Sequence, residues 1–180
     1  MTAPTEKVTP AMKQFHTFKA KHPDCILFFR MGDFYETFYE DAKTCSKVLG
    51  LTLTSRDKGS ENPVPLAGVP YHAIDGYLKK MLQAGYRVAV CEQVEDPAEA
   101  RKRGGKAVVK REVVRLVTPG TITEEALLDA RRHNYLAALA EAERRLALAW
   151  LDMTTGVFTV QHVAAAGLAA VLERVQPGEI

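Results

Sequence analysis

The hydrophobic residues of the first part of the chain fall into short runs and helical repeats that alternate. Thr9 can cap a first helix, which the pattern ends near His22. The apolar run at 25–29 has the length of a strand. Over Tyr35–Leu49 apolar residues recur at intervals of three and four, which predicts an amphipathic helix closed by Gly50.

The same alternation continues as far as the Thr-Pro-Gly segment that begins at Thr118. The pattern predicts strands at 51–54, 86–94 and 113–117, a polar loop at 56–65 and a second amphipathic helix at 72–82. Strands that alternate with helices of about 10 to 15 residues are typical of an α/β domain. We therefore predict one α/β domain over residues 1–118.

The last third of the chain has a different composition and a different pattern of apolar residues. Helix propensity favours a helix over much of 124–150, which is rich in Ala, Leu, Glu and Arg. Two apolar runs, at 146–151 and 157–160, flank a turn that contains glycine and instead favour a β-hairpin. A helix is predicted at 164–175, and another strand begins at Glu179. Two or three strands and one helix cannot close a hydrophobic core of their own. We therefore expect a truncated second domain.

Composition narrows the class of protein without selecting a function. The apolar share of 47% is ordinary for a globular chain, and a formal charge of +2 neither requires nor excludes a nucleic-acid partner. No apolar run approaches the roughly 18 residues that would span a bilayer, and the N-terminus lacks a signal peptide. Three cysteines without a C-x-x-C pair suit buried thiols in a reducing cytosol: Cys25, Cys45 and Cys91.

A basic stretch lies over Arg101–Arg115, with seven Lys or Arg residues and the single acidic residue Glu112. Gly104 and Gly105 within it suggest a mobile loop. Such a charge run can be a solvated surface loop, or it can contact phosphate groups of a nucleic acid. The sequence leaves both interpretations open.

The most informative segment is FFRMGDFYETFYED at 28–41. If the chain is extended there, Phe34 and Glu36 leave the backbone on the same side, so an aromatic ring and a carboxylate lie together. The alternative is a helix start, with Asp33 as the N-cap, Glu36 completing a capping box and Phe34 in the core. A Phe34 side chain that is more than about half exposed would fit a wedge, whereas a fully buried one would be core.

Catalytic interpretations have weaker support. Asp33, Glu36, Glu40 and Asp41 crowd one stretch, as in a metal site, but acids at a helix start more often complement the helix dipole. Asp152 precedes a turn, where it can be a nuclease carboxylate or, more simply, accept hydrogen bonds from the turn backbone. The sequence contains neither H-E-x-x-H nor the phosphate loop G-x-x-x-x-G-K-[ST].

Four segments occur in order at close spacing and together resemble the N-terminal part of bacterial MutS, the DNA mismatch-repair recognition protein. They are FFRMGDFYETFYEDAK, PVPLAGVPYHAIDGYL, VAVCEQVEDPA and REVVRLVTPGTITEEALL. The resemblance runs from about Thr9 to the C-terminus and includes LDMTTGVF at 151–158. It departs at 57–62 and 101–106, which look variable in length and charge.

The resemblance implies a mismatch-recognition domain at 1–118, a mixed sheet flanked by helices. A linker at 119–133 and the beginning of a connector domain with an RNase-H-like α/β fold at 134–180 would follow. In the family, the Phe of a Phe-x-Glu motif stacks at the mispaired base and the Glu hydrogen-bonds to it. Those positions are Phe34 and Glu36 here.

The resemblance also suggests further DNA contacts and partners. Met31 and Leu66 would brace the kinked groove, and Arg56 would reach phosphate or sugar. The expected partner is mismatched double-stranded DNA, with a homodimer and the MutL repair protein as partners of the full-length family, and no membrane. We expect no cofactor in this chain, since ATP and magnesium belong to the full-length family, and a cytoplasmic, nucleoid-associated location. Two other functions are a protein-interaction fragment with Phe34 in its core and a Mg²⁺-dependent nuclease.

Overall fold

The structure is a computed structural model that describes residues 8–57, 59, 62–104, 107–122, 127–128 and 133–180. The larger of its two sheets has six strands in the order β3-β4-β2-β1-β5-β6. Strands β1 and β5 are parallel, and all other neighbours are antiparallel, so the sheet is mixed. The strands are β1 Cys25–Met31, β2 Phe34–Phe38, β3 Thr54–Arg56, β4 Val64–Pro70, β5 Arg87–Gln93 and β6 Arg111–Val117.

Helices pack on both faces of this sheet. On one face, Met12 and Phe15 of α1 pack against Leu27, Phe29 and Phe38. On the other face, α2 and α3 cover a larger apolar cluster around the inward-facing residues of β1, β2, β4 and β5. The helices are α1 Pro10–Lys21, α2 Tyr39–Leu49, α3 Ile74–Gln83 and α4 Pro97–Lys102. This arrangement confirms the mixed sheet flanked by helices.

The first helix and the end of the second follow the sequence prediction. The amide of Met12 donates a hydrogen bond to Thr9 Oγ1 at 3.4 Å, which makes Thr9 the N-cap of α1, and the C-cap is His22. Gly50 adopts a φ of 68° after α2, a left-handed conformation that glycine enters without steric penalty. Local capping chemistry therefore set both boundaries.

The start of the second helix was predicted wrongly. Residues 34–38 form strand β2, and α2 begins only at Tyr39, whose predecessor Phe38 makes no side-chain capping bond. The capping-box interpretation of Asp33 and Glu36 is therefore wrong. Hydrogen bonds to β1 on one side and β4 on the other hold β2 extended, and these long-range partners overrode the helical spacing of its apolar residues.

Three other sequence boundaries need correction. The short strand expected at 51–54 is β3 at Thr54–Arg56, and the polar loop ends before Val64. Strand β4 was missed because its two prolines argue against a strand inside a sheet, although Pro65 and Pro70 lie at its two ends. The basic stretch is not one loop, since α4 and β6 take up both of its ends.

The second sheet contains β7 Tyr135–Ala142, β8 Arg145–Asp152 and β9 Phe158–Val163, all antiparallel, with α5 at Leu168–Val175. The predicted hairpin is confirmed, with Leu151 opposite Phe158, and the helix suggested by propensity is wrong over β7 and β8. Residues 124–126 and 129–132 of the predicted helix stretch 124–150 lie outside the described part of the chain. Glu179 bridges to Leu136 in parallel, where a further strand was expected.

The two sheets meet where Glu179 approaches the segment after β6. The Arg87 guanidinium forms an ion pair with the Glu179 carboxylate. A Cβ on Gly120 would collide with the Glu179 Cβ and crowd the Glu179 backbone nitrogen at 3.1 Å, so glycine leaves room for this approach. Across the described residues, no helix is both long enough and apolar enough to cross a bilayer.

Candidate nucleic-acid interface

A tight hairpin presents the Phe-x-Glu segment at one end of the large sheet. Met31 and Phe34 are paired across it, so Gly32 and Asp33 form a two-residue loop. Gly32 has a φ of 62°, and such loops require a positive φ that glycine supplies without strain. The Gly32–Asp33 pair therefore serves as a hairpin turn that starts strand β2 at Phe34.

Phe34 and Glu36 lie on the same face of β2, because side chains two residues apart along a strand point the same way. The Phe34 ring is 48% exposed, and Glu36 is half-buried. Tyr35 and Thr37 are turned to the opposite face, where both are buried. The structure thus brings the aromatic ring and the carboxylate together and excludes Phe34 from the core.

The other three predicted residues lie on this same face. Met31 is directly opposite Phe34 on β1. Leu66 is opposite Phe38, farther from the hairpin, and packs half-buried beside the cluster under α1. Arg56 is opposite Val64 on the outer strand β3, with its guanidinium carbon 6.0 Å from the centroid of the Phe38 ring.

Helix α1 covers the middle of this face and leaves its hairpin end open. The Phe15 ring lies edge-on to Phe29 and Phe38, at centroid distances of 5.7 and 4.9 Å. Beyond that contact the strand partner of Glu36 is Gly68, which has no side chain to fill the surface. A Cβ at Gly68 would lie 3.8 Å from both Phe34 and Glu36, so its absence leaves a shallow floor beside the pair.

Burial raises the pKa of the Glu36 carboxyl above its ordinary value, while the charges of Arg56 and Arg111 act in the opposite direction. The protonated form of Glu36 is therefore more populated at a given pH than that of an exposed glutamate. A polyanion placed against this face would favour the protonated form further.

Sequence analysis missed Arg111 as a member of the site. Its side chain is buried, and its Nε donates to the Arg30 carbonyl oxygen at 2.7 Å. The guanidinium also donates to Gln14 Oε1 at 3.2 Å and contacts Met31 Sδ at 3.3 Å. Burial lowers its pKa, although the charge on Glu36 opposes this. The strand predicted at 113–117 begins at Arg111 in the structure. Had the prediction included Arg111, the alternation of a strand would have placed its side chain on the same side as Val113, facing inward.

The acidic residues of the possible metal site do not come together around a common point. The Asp41 carboxylate pairs with Lys19 Nζ at 2.9 Å and accepts the Leu27 amide at 2.9 Å, while Glu40 pairs with Lys43 on the surface. Within the described ranges, no three His, Cys, Asp or Glu side chains form a group that could hold a metal ion.

Asp152 has the geometry of a turn residue. Its Oδ1 accepts hydrogen bonds from the Thr154 amide at 3.0 Å and the Thr154 hydroxyl at 2.6 Å, and its Oδ2 lies 2.8 Å from His133 Nδ1. Burial alone would raise the pKa of Asp152, but these hydrogen bonds together hold it well below the ordinary value. The hydrogen bonds of this buried carboxylate stabilise the turn between β8 and β9.

Comparison with known proteins agrees with this architecture. The family model for MutS domain I matches residues 9–126, and that for MutS domain II matches residues 134–180. A DNA mismatch repair protein MutS from Dinoroseobacter shibae is 54% identical over 98% of this chain and 20% of its own length. The proteins of that name from Rhizobium meliloti and Nitrobacter hamburgensis are 54% and 53% identical over 96% and 97% of the chain.

The chain therefore spans about a fifth of the length of these relatives, 19–20% in each case. Within that fifth the similarity is nearly continuous, since the two family models together match residues 9–126 and 134–180. The first of them alone matches more than half of the chain. On this evidence the chain belongs to the MutS family.

Proposed function

We propose that this chain recognises mispaired or unpaired bases in duplex DNA as the recognition part of a mismatch-repair protein. The single observation that carries the proposal is the pair formed by Phe34 and Glu36, on one face of β2 with the ring 48% exposed. An aromatic wedge and a hydrogen-bonding carboxyl at the open end of a sheet suit a distorted base pair.

Phe34 would act by testing how easily the stack opens. A phenyl ring has no hydrogen-bond donor or acceptor, so it cannot read the identity of a base. Inserting it into the stack costs a few kcal/mol of unstacking, and stacking on a base returns about 1–3 kcal/mol. A mispaired base is already poorly held, so the balance favours insertion where the lesion lies.

Glu36 would hydrogen-bond to the displaced base beside the wedge. An ionised carboxylate can accept a proton donor such as an imino N–H, whereas bonding to a purine N7 requires the protonated form. Burial already raises the pKa of Glu36, and the phosphates of a bound duplex would raise it further. The half-buried position therefore makes both bonding modes accessible.

The remaining predicted contacts have separate roles in the proposal. Met31, directly opposite Phe34, would brace the opened groove beside the wedge. Leu66 would support the same surface farther from the hairpin, and Arg56 on β3 would contact phosphate or sugar. We retain a division into a recognition domain at 1–118, a linker at 119–133 and the beginning of a connector domain at 134–180.

We extend the proposal to the whole protein, of which this chain would be the non-catalytic recognition part. It would be a cytoplasmic, nucleoid-associated homodimer that uses ATP with magnesium and works with MutL. The residues of this chain do not fit the nucleotide, because no G-x-x-x-x-G-K-[ST] loop occurs in its sequence.

The test compares mismatched and matched duplexes of otherwise identical sequence, titrated against the full-length protein. Phe34→Ala should abolish the preference for the mismatched duplex and leave the weak affinity for matched DNA in place. The matched control is Tyr86→Ala, which removes another partly exposed ring of the same sheet, next to the start of β5 at the far end from the hairpin.

The control variant should keep the preference of the unmodified protein. If Phe34→Ala keeps the preference, the wedge is wrong. If the unmodified protein shows no affinity for either duplex, the chain is better explained as a protein-interaction fragment. Cleavage of duplex DNA that requires Mg²⁺ would instead support a nuclease.

A further inference from the structure

Arg30 lies on the face of the sheet opposite to the wedge and contacts both segments that hold the hairpin turn. It is the strand partner of Tyr35 on β1, so its side chain leaves the sheet away from Phe34. Its Nε donates a hydrogen bond to the Gly32 carbonyl oxygen, within the turn itself. Its guanidinium carbon lies 3.9 Å from the centroid of the Tyr71 ring, a close cation–π contact.

The backbone of Tyr71 is hydrogen-bonded to the same turn. Its amide donates a hydrogen bond to the Asp33 carbonyl oxygen at 2.9 Å, immediately after strand β4 ends at Pro70. Both carbonyls of the two-residue turn are therefore bound, one by the Arg30 side chain and the other by the Tyr71 backbone. Because Arg30 also stacks on the Tyr71 ring, the two restraints form one connected unit.

Glu92 connects this unit to the neighbouring strand β5. Its carboxylate forms an ion pair with Arg30 at 3.5 Å and accepts a hydrogen bond from the Tyr35 hydroxyl. The Arg30 side chain is only 17% exposed and Glu92 30%, which places the pair partly out of water. Tyr35, the residue between Phe34 and Glu36, is thereby tied to the same network.

We propose that Arg30 is a positioning residue, which clamps the Gly32–Asp33 turn against Tyr71 and so fixes the direction in which Phe34 projects. This inference rests on the proposed function of Phe34 as a wedge. Arg30 itself would not touch DNA, since its side chain lies on the face opposite to Phe34 and Glu36.

A fixed turn matters because a wedge discriminates only if it meets the duplex in one orientation. A mobile hairpin would have to be ordered on binding, and that loss of conformational freedom would weaken the wedged complex. Binding that needs no insertion, as on matched DNA, would not carry this penalty. Loss of the clamp should therefore reduce the mismatch preference selectively.

The experiment uses full-length protein with Arg30→Met and the pair Tyr71→Ala and Tyr71→Phe. Arg30→Met and Tyr71→Ala should each lower the ratio of mismatched to matched affinity by about three- to ten-fold. Tyr71→Phe retains the ring and should behave as the unmodified protein. The double variant Arg30→Met with Tyr71→Ala should lose little more than either single variant, because both remove the same clamp.

A second readout separates positioning from general stability. Hydrogen exchange of the Tyr71 amide, which is bonded to the turn, should accelerate in Arg30→Met, while amides of β5 keep their protection. Arg174→Met removes an exposed arginine of α5, bonded to Gln161 at 2.7 Å, and controls for the lost charge. It should alter neither readout.

The clamp is refuted if Arg30→Met and Tyr71→Ala both keep the mismatch preference within two-fold of the unmodified protein, or if Tyr71→Phe loses as much as Tyr71→Ala. These outcomes differ from failure of the proposed function itself. In that case the unmodified protein shows no mismatch preference, or Phe34→Ala retains it.

Discussion

Phe34 and Glu36 share one face of strand β2, with Tyr35 between them turned into the core on the other side. Buried Tyr35 and Thr37 hold the strand in place, while the face that carries the pair is left open beside Gly68. The alternation of a strand therefore separates two tasks within a few residues. One face stabilises the fold, and on the other the hairpin end is available to a partner, while Phe38 farther along packs under α1.

The first prediction concerns the stability of the fold without the wedge. Phe34→Ala should change the free energy of unfolding by about 1 kcal/mol or less, because the ring is 48% exposed and outside the core. Phe28→Ala, which empties a fully buried position on β1, should cost about 3–5 kcal/mol. Urea unfolding of both variants measures the difference, and equal losses would mean that Phe34 is a core residue.

The second prediction concerns the charge of Glu36. Glu36→Gln should bind matched DNA more tightly, because it removes a negative charge that faces phosphate groups. Binding of mismatched DNA should change little, since Gln can donate to a purine N7 without taking up a proton, or accept from an imino N–H for a loss of about 1 kcal/mol. Titrating both duplexes decides the matter, and an unchanged affinity for matched DNA would contradict this account.

Glu36 should also make the affinity for mismatched DNA depend on pH. Burial raises the pKa of Glu36, so the protonated form gains population as pH falls through that raised value. If the protonated carboxyl bonds to the base, mismatch affinity of the unmodified protein should increase over that range as pH is lowered. Glu36→Gln, which does not titrate, should show a flat profile there.

The third prediction concerns Arg56 as a backbone contact. Arg56→Met should weaken binding to matched and mismatched duplexes about equally and reduce the salt dependence of log K by about one unit. The charge of Arg56 also lowers the pKa of Glu36, so the variant should be repeated in a Glu36→Gln background, where that interaction is absent. A loss confined to mismatched DNA in that background would rule out a phosphate or sugar contact.

The fourth prediction concerns Asp152 at the end of β8 in the second sheet. Because hydrogen bonds hold its pKa in the folded state below the unfolded value, the ionised carboxylate stabilises the fold above about pH 4. This contribution is lost as pH falls through the folded pKa. Asp152→Asn should therefore destabilise the protein at neutral pH, with a smaller deficit in acid.

Urea unfolding at several pH values measures that deficit. Glu173→Gln, at an exposed position of α5 beside the second sheet, is the control and should show no comparable pH-dependent loss. A deficit for Asp152→Asn that stays constant into acid would mean that the amide disrupts packing, and that the charge of Asp152 contributes little.

The sequence by itself determined the elements whose signals are local. Thr9 and Gly50 set helix ends because a capping oxygen and a left-handed residue act within one turn of backbone. The apolar run at 25–29 and the segment 86–94, apolar at 88–91, predicted β1 and β5, since the middle of a strand buried on both faces is apolar. The Phe-x-Glu segment could also be singled out, both from its residues and from its resemblance to a family.

Only the tertiary structure decided whether that segment was helix or strand. The apolar spacing from Tyr35 onward fits a helix, but β1 and β4 supply hydrogen-bond partners on both sides of residues 34–38 and hold them extended. Strand β2, which the sequence left open between helix and strand, and strand β4, which it did not predict, carry Phe34, Glu36 and Leu66. Arg111 reaches the site from a strand about 75 residues away, and no local pattern encodes such a contact. Its place depends on the packing of the whole sheet.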